Sequence, residues 1–285
     1  MADISGVGTP ITYSEDNPVS QWMTRTRREF EARRRPPAND DELKLFARWN
    51  GFRGRRELDL TVGSACYAYS HFAAELDPEW QFLLMDHART EAGHGWGFIR
   101  QANVMDPSMD HAQPDPELTR EFGPQVSQEH TRLVNRDFLS YLIAGNLWAY
   151  GHCTAMTTIS IVTTPKLNDF LENVVQAEER THHDAILQKL HDYVWSLIER
   201  YGFEATRKRV AEIDNEALNN CSRLPFDPPR RDFVRKYLGN PVHNLEKFFE
   251  WRRYLYLNVL GWEPDPVTIR NWPSDVPVPE QRLAA

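Results

Sequence analysis

Glu91 and His94 stand three residues apart, and so do Glu179 and His182. A carboxylate and an imidazole at that spacing share one helix face, where one metal ion can take an oxygen from the first and a nitrogen from the second. A single pair is a weak signal, because Glu and His meet at this spacing by chance. Two copies weigh more when each interrupts an apolar stripe. Leu171, Val175, Ile186, Leu190, Tyr193 and Leu197 recur at helical intervals, and Glu179 and His182 fall where that period demands core residues. Trp80, Leu84 and Phe98 define a second stripe, which Glu91 and His94 interrupt in the same way. A buried lone carboxylate costs several kcal/mol, so each must meet a cation or strong donors. The alternative is a pair of buried Glu–His ion pairs bracing the helices, and such pairs rarely repay their desolvation.

The elements that must position these residues are helices. Short alternating β-branched runs are almost absent; the one β-like patch, Ile159 to Thr164, precedes Pro165, where a helix would end anyway. Four long segments are expected, at about 40–76, 78–103, 127–160 and 165–201, the first open to interruption at Gly51 and Gly54. Asp77-Pro78-Glu79 gives the second an N-cap, a first-turn proline and an acidic first turn. The loops within each pair are short, so each pair reads as an antiparallel hairpin, and two hairpins make a four-helix bundle. The proline-bearing link 104–126 suits a crossover between them. Shorter helices are expected at 203–219, 229–238 and 241–260. The chain thus divides into an N-terminal arm (1–39), a metal-bearing four-helix bundle (40–202), additional helices packed on it (203–263) and a tail (264–285).

The stretch Thr90-Glu91-Ala92-Gly93-His94-Gly95, with Glu178-Glu179-Arg180-Thr181-His182-His183, resembles the catalytic subunit of the bacterial phenylacetyl-CoA epoxidases, within the ferritin-like di-metal carboxylate proteins. Those proteins use one Glu from each of two helices and a Glu-x-x-His from each of the other two. The resemblance covers roughly residues 40–200 in helix order and is specific around the two motifs. It implies an all-α, ferritin-like bundle with additional C-terminal helices, holding a non-haem pair of irons that activates O2 and inserts oxygen into an organic substrate. Glu91 and His94 would bind one iron, and Glu179 and His182 the other. A mixed Mn/Fe pair or a single metal would use the same residues.

The other two carboxylates depart from the pattern. A first-helix ligand should lie one hairpin ahead of Glu91. Glu57 is 34 residues ahead (91 − 57) and Asp59 is 32 ahead (91 − 59). The stripe Leu58, Val62, Ala65, Tyr69, Phe72 and Leu76 puts them on opposite edges, so geometry does not choose; Glu57 is preferred for its reach, with solvated charges beside Arg55 and Arg56 as the alternative. On the third helix no acid stands at the right distance. Asn146, 33 residues before Glu179 (179 − 146), interrupts the stripe Leu139, Leu142, Ala149, Cys153 and Met156. An amide there brings no charge; it is either a weak ligand or a backbone hydrogen-bonding group. His87, four before Glu91, reads as an extra ligand, a partner to a ligand, or a satisfied histidine. Tyr150 reads as bundle core, His152 has no metal role, and Trp148, Trp195, Trp251 and Trp262 read as packing.

Composition narrows the rest. With 33 Lys and Arg against 41 Asp and Glu, the net charge is −8, which argues against binding a phosphate backbone. The one basic run, Arg25 to Arg35, reads as a solvated helix end, with docking of an acidic partner as the lesser reading. No segment has the apolar length of a membrane span, the N-terminus lacks a secretory pattern, and three scattered cysteines fit a reducing cytoplasm. Neither a dinucleotide fingerprint nor a cysteine set for an iron–sulfur cluster is present, so electrons for O2 chemistry require a separate reductase. The expected function is an O2-dependent di-iron monooxygenase, hydroxylase or N-oxygenase acting on a small organic or acyl substrate, in a homo- or hetero-oligomer. A non-catalytic ferritin-like partner subunit with a degenerate site is the alternative, favoured by Asn146, and iron storage is a weaker third.

Overall fold

Local caps decide where the helices begin. Asn39 accepts from the Glu42 N–H at 2.9 Å and opens α1 (Asp40–Arg56), whose first turn carries Asp40, Asp41 and Glu42 and whose last carries Arg53, Arg55 and Arg56. The acidic first turn complements the helix dipole. The computed structural model describes residues 28, 31–72, 76–122, 124–147, 160–221, 236–237, 252–253, 255–266 and 268. Gly51 and Gly54 do not interrupt α1. Both are buried in it, because a neighbouring chain segment uses the missing side chains: a Cβ on Gly51 would sit 2.9 Å from His111, and one on Gly54 2.5 Å from the Gly95 carbonyl oxygen. The helix continues through a π-helical turn (Glu57–Val62) into α2 (Gly63–Phe72).

α3 (Pro78–Met105) starts as expected, on Asp77 capping the Trp80 N–H at 2.8 Å with Pro78 in the first turn. Gly54 and Leu58 lie against Gly95 while Gly51 lies against His111, beyond the C-terminal end of α3, so α1 and α3 run antiparallel. The link that follows is not a plain crossover. It contains α4 (Pro116–Phe122), and α5 (Pro124–Val134) begins a turn earlier than expected.

The third segment is broken rather than continuous. α5 stops at Val134, and Asp137 caps a new helix through the Ser140 N–H at 2.8 Å, giving α6 (Phe138–Ser140) and a second π-helical turn (Tyr141–Leu147). A short acidic side chain that satisfies a nearby backbone N–H competes with helix continuation, which is the reason for the break. The expected remainder, 148–159, falls outside the described residues, as do Trp148, Tyr150 and His152, and most of the helices expected at 229–238 and 241–260, including Trp251.

The fourth segment is α7 (Pro165–Phe170), capped by Thr164, then a π-helical turn (Leu171–Val175), then α8 (Gln176–Tyr201). It ends where Gly202 takes φ +87°, a left-handed backbone that side chains resist. α9 (Phe203–Cys221) follows, and a last π-helical turn covers Tyr256–Leu260. α8 runs antiparallel to α3: Phe170 fills the gap over Gly97, Glu178 meets His94, and Lys189 meets Glu79 near the start of α3.

The main core joins α3, the second π-helical turn, α8 and α9 through Leu84, Leu142, Ile143, Leu190, Val194 and Ile213, with Trp262 on its margin. Phe138 anchors it, edge-on to Trp80 at 5.0 Å and to Tyr193 at 5.2 Å. In this core lies one buried ionic cluster, in which Asp214 accepts from Arg252 (Nε, 2.9 Å) and from the Tyr256 hydroxyl at 2.7 Å. Asn215 and Asn219 of α9 also grip the Thr268 peptide, one amide oxygen accepting its N–H and one amide nitrogen donating to its carbonyl, each at 2.9 Å.

The described residues are mostly helical, with no strand among them. Its β-like patch is nonetheless extended: Val162 forms an isolated parallel bridge with Arg35, and the Ile161 and Val162 N–H groups donate to the Tyr237 carbonyl at 3.2 Å. Arg34 and Arg35 are therefore not a solvated helix end. Arg34 donates to Glu172 at 2.8 Å and Arg35 forks onto Glu42, whose carboxyl it holds down at about 2.

Candidate metal centre

His94 is 1% exposed and Glu91 4%, so α3 does aim this Glu-x-x-His pair inward. The small residues around them explain how. Gly95 lets Leu58 and the Gly54 carbonyl close on the helix one residue from His94, and Gly97 lets the tip of the Phe170 ring stand where a Cβ would be. α3 is thereby clasped from both sides at the level of the histidine.

The imidazole is hydrogen-bonded at one nitrogen and faces a carboxylate with the other. Its Nε2 lies 2.9 Å from a Glu178 carboxylate oxygen across the α3–α8 interface, a hydrogen bond in which Nε2 carries the proton. Its Nδ1 lies 3.7 Å from Glu91 Oε2. That is too long for a hydrogen bond. It matches the span between two ligands of one ion, each roughly 2 Å from the metal. The other Glu91 oxygen lies 3.4 Å from His87 Nε2, and His87 Nδ1 lies 3.4 Å from the buried Tyr141 hydroxyl. A continuous polar line thus runs from Tyr141 through His87, Glu91 and His94 to Glu178. Leu84 and Phe98, on the same helix as Glu91 and His94, are each 1% exposed.

The donor set fits a first-row divalent metal. Imidazole nitrogen with carboxylate oxygen suits iron, manganese or zinc, and the carboxylate on the far ring nitrogen is the usual device for fixing a ligating histidine. Among the described residues, no group of three His, Cys, Asp or Glu side chains is gathered closely enough to hold an ion alone. Glu179 and His182 lie on α8 and Asn146 on the second π-helical turn, but their side chains are outside those described.

The two first-helix acids are separated by the structure. Asp59 is 59% exposed and pairs with Arg55 at 3.1 Å, on the solvent face. Glu57 is 20% exposed, accepts from Thr61 at 2.9 Å, and lies 3.8 Å from Arg53, whose guanidinium covers the Phe98 ring at 4.0 Å. It stands beside Leu58, which touches Gly95, so it is one residue from the contact that adjoins His94.

Two features escaped the sequence. Glu178, at the edge of the α8 stripe, is the residue that meets His94; the doubled acid Glu178-Glu179 was the only signal for it. The π-helical turns are the second. One contains Glu57, one contains Asn146, and one ends three residues before Glu178. Such turns recur at functional sites because the extra residue re-aims side chains. Comparison with protein-family models, curated proteins and solved structures finds no match to this chain.

Proposed function

We propose that the helical body is a ferritin-like four-helix bundle with further C-terminal helices, and that the protein is an O2-dependent non-haem di-iron oxidoreductase acting on a small organic or acyl substrate. The observation that carries this reading is the buried Glu91–His94 pair at 3.7 Å, with Glu178 bound to the opposite ring nitrogen. Glu91 and His94 would hold one iron and Glu179 and His182 the second, with Glu57 as the first-helix carboxylate and Asn146 in the fourth place. Bound there, iron supplies the redox chemistry that protein side chains lack.

The chain's own groups do the rest. Glu178 accepts the Nε2 proton of His94, fixing the tautomer that turns the Nδ1 lone pair toward Glu91. His87 holds the second Glu91 oxygen, and Tyr141 steadies His87. Burial keeps bulk water from Glu91 and His94, while Glu178, 36% exposed, stands at the edge of the site. Electrons would come from a separate reductase, in a cytoplasmic setting; no described helix is long and apolar enough to cross a membrane.

The test is elemental analysis of the full chain from iron-replete cells, beside His94→Ala and Glu178→Gln. About two irons per chain are expected, with at least one lost from His94→Ala at unchanged helical content. Iron-free parent protein overturns the reading.

One observation favours a second reading, a non-catalytic partner subunit. The His94–Glu178 contact is a hydrogen-bonded pair complete in itself, tying α3 to α8. Iron-free protein whose His94→Ala variant melts well below the parent would support it.

A further inference from the structure

The outward face of α3 is unusually apolar for a helix whose inner face already serves the core. Phe82 is 68% exposed, Val104 59% and Trp96 52%, with Met85 beside them. These residues fall on one stripe with Arg89, Gly93 and Arg100, all exposed. A Cβ on Gly93 would meet nothing within 4 Å. From Phe82 to Val104 the stripe covers 22 residue steps, about 33 Å of helix. Exposed apolar surface of this extent on one element marks an interaction site.

The order of residues along the stripe identifies the occupant. Gly93 is its midpoint: Phe82 and Val104 stand eleven residues either side, Asp86 and Arg100 seven, and Arg89 and Trp96 four and three. Two antiparallel copies of α3 crossing at Gly93 would set each member of a pair against its counterpart. A twofold axis keeps the same flank of each helix together, which is the geometry an isologous interface needs. Phe82 then packs on Val104 of a second copy, Asp86 faces Arg100, and the Arg89 guanidinium covers the Trp96 ring. Every contact is made twice. Within one chain Asp86 holds Arg89 at 3.0 Å, an exposed pair that the interface would exchange for the longer-range one. At the crossing, glycine lets the backbones approach as closely as small residues permit.

We propose that α3 is the dimerisation helix of this protein, and that its partner is a second copy bound antiparallel about Gly93. The pairing of opposite charges at mirror positions selects a copy of the same chain over an unrelated partner, because only a copy presents Arg100 where Asp86 requires it. This inference stands apart from the metal reading, since it uses the exposed face of α3, whose midpoint Gly93 lies about 100° round the helix from the buried His94.

The test uses two surface variants of the full chain, Asp86→Arg and Arg100→Asp, followed by sedimentation velocity. Alone, each variant places two like-charge pairs in the interface, and dimer affinity should fall by about 100-fold. Mixed in equal amounts, one chain carries Arg at both positions and the other Asp at both. Each of the two interface pairs is then attractive, and dimers should return. Trp96→Ala should weaken the parent dimer at least about 10-fold, for loss of two buried rings. The proposal fails if the parent is monomeric at concentrations of tens of micromolar, if either charge variant dimerises like the parent, or if the mixture stays monomeric. An unrelated protein as the true occupant gives the first of these results.

Discussion

Replacing Gly54 by alanine sets two effects of opposite sign against each other. In an open helical position Gly→Ala stabilises by up to about 1 kcal/mol, through helix propensity and a stiffer unfolded chain. At Gly54 the added methyl would stand 2.5 Å from the Gly95 carbonyl oxygen, 2.9 Å from Ile99 Cγ1 and 3.1 Å from Phe98 Cβ. The first neighbour is backbone and cannot rotate away. Relief requires α1 and α3 to part by several tenths of an ångström at their tightest crossing. Overpacking of this kind costs roughly 1–3 kcal/mol. The clash therefore wins, and net destabilisation should be about 1–2 kcal/mol, a fall in Tm of about 3–6 °C. Gly63→Ala is the control. It lies on the same long helix, is exposed, and has nothing within 4 Å of its would-be Cβ, so its Tm should hold or rise. The assay is thermal unfolding followed by circular dichroism. If Gly54→Ala raises Tm as Gly63→Ala does, the close crossing beside His94 is not as described.

Asp214→Ala should cost about 3–5 kcal/mol in denaturant unfolding, because it strands the Arg252 charge in the core; a cost below about 1 kcal/mol would refute the buried pairing. Asn39→Ala should cost about 1 kcal/mol and Asn39→Gly only a few tenths, read by the same method, for loss of the α1 cap. Acid should loosen the contact of the 31–39 segment with α1. The Glu42 carboxyl is depressed by Arg35 from 4.5 to about 2 in the folded protein, so its contribution is whole above 4.5 and lost as pH falls toward 2. A Glu42→Gln variant should lack that part of the acid dependence, and an unchanged profile of stability against pH would count against the pair.

What the sequence revealed was whatever local chemistry determines. Asp77-Pro78 announces the start of α3 because cap and helix are neighbours in the chain, and the inward aim of Glu91 and His94 follows from a stripe with unbroken phase. Where distant partners decide, the reading went astray. Gly51 and Gly54 signal an interruption only if nothing packs on them, and His111 and Gly95 do. Asn135 to Asp137 look helical until the Asp137 carboxylate is seen to cap Ser140 instead. The choice between Glu57 and Asp59 assumed a constant turn of 100° per residue, which the π-helical turn over Glu57–Val62 breaks. Tyr69, expected inside, stands at the surface, while Ala65 and Ala68 are buried. Glu178 was passed over for its neighbour because it lies at the edge of the stripe and reaches His94 across the interface.

The bridge between Arg35 and Val162 has a consequence for the order in which the chain folds. It joins residues 127 apart, and the Tyr237 carbonyl that receives the Ile161 and Val162 N–H groups is a further 75 along. The α1–α3 crossing closes a far shorter loop and can form early, since loop-closure entropy grows with the length enclosed. Three remote segments must already be in place before the bridge can close, so it belongs to the last events on the pathway. Its few hydrogen bonds, without a helix around them, make it also the first part to open in the native state. In amide exchange, Arg35 and Ile161 to Thr163 should trade their protons well before the amides of α3.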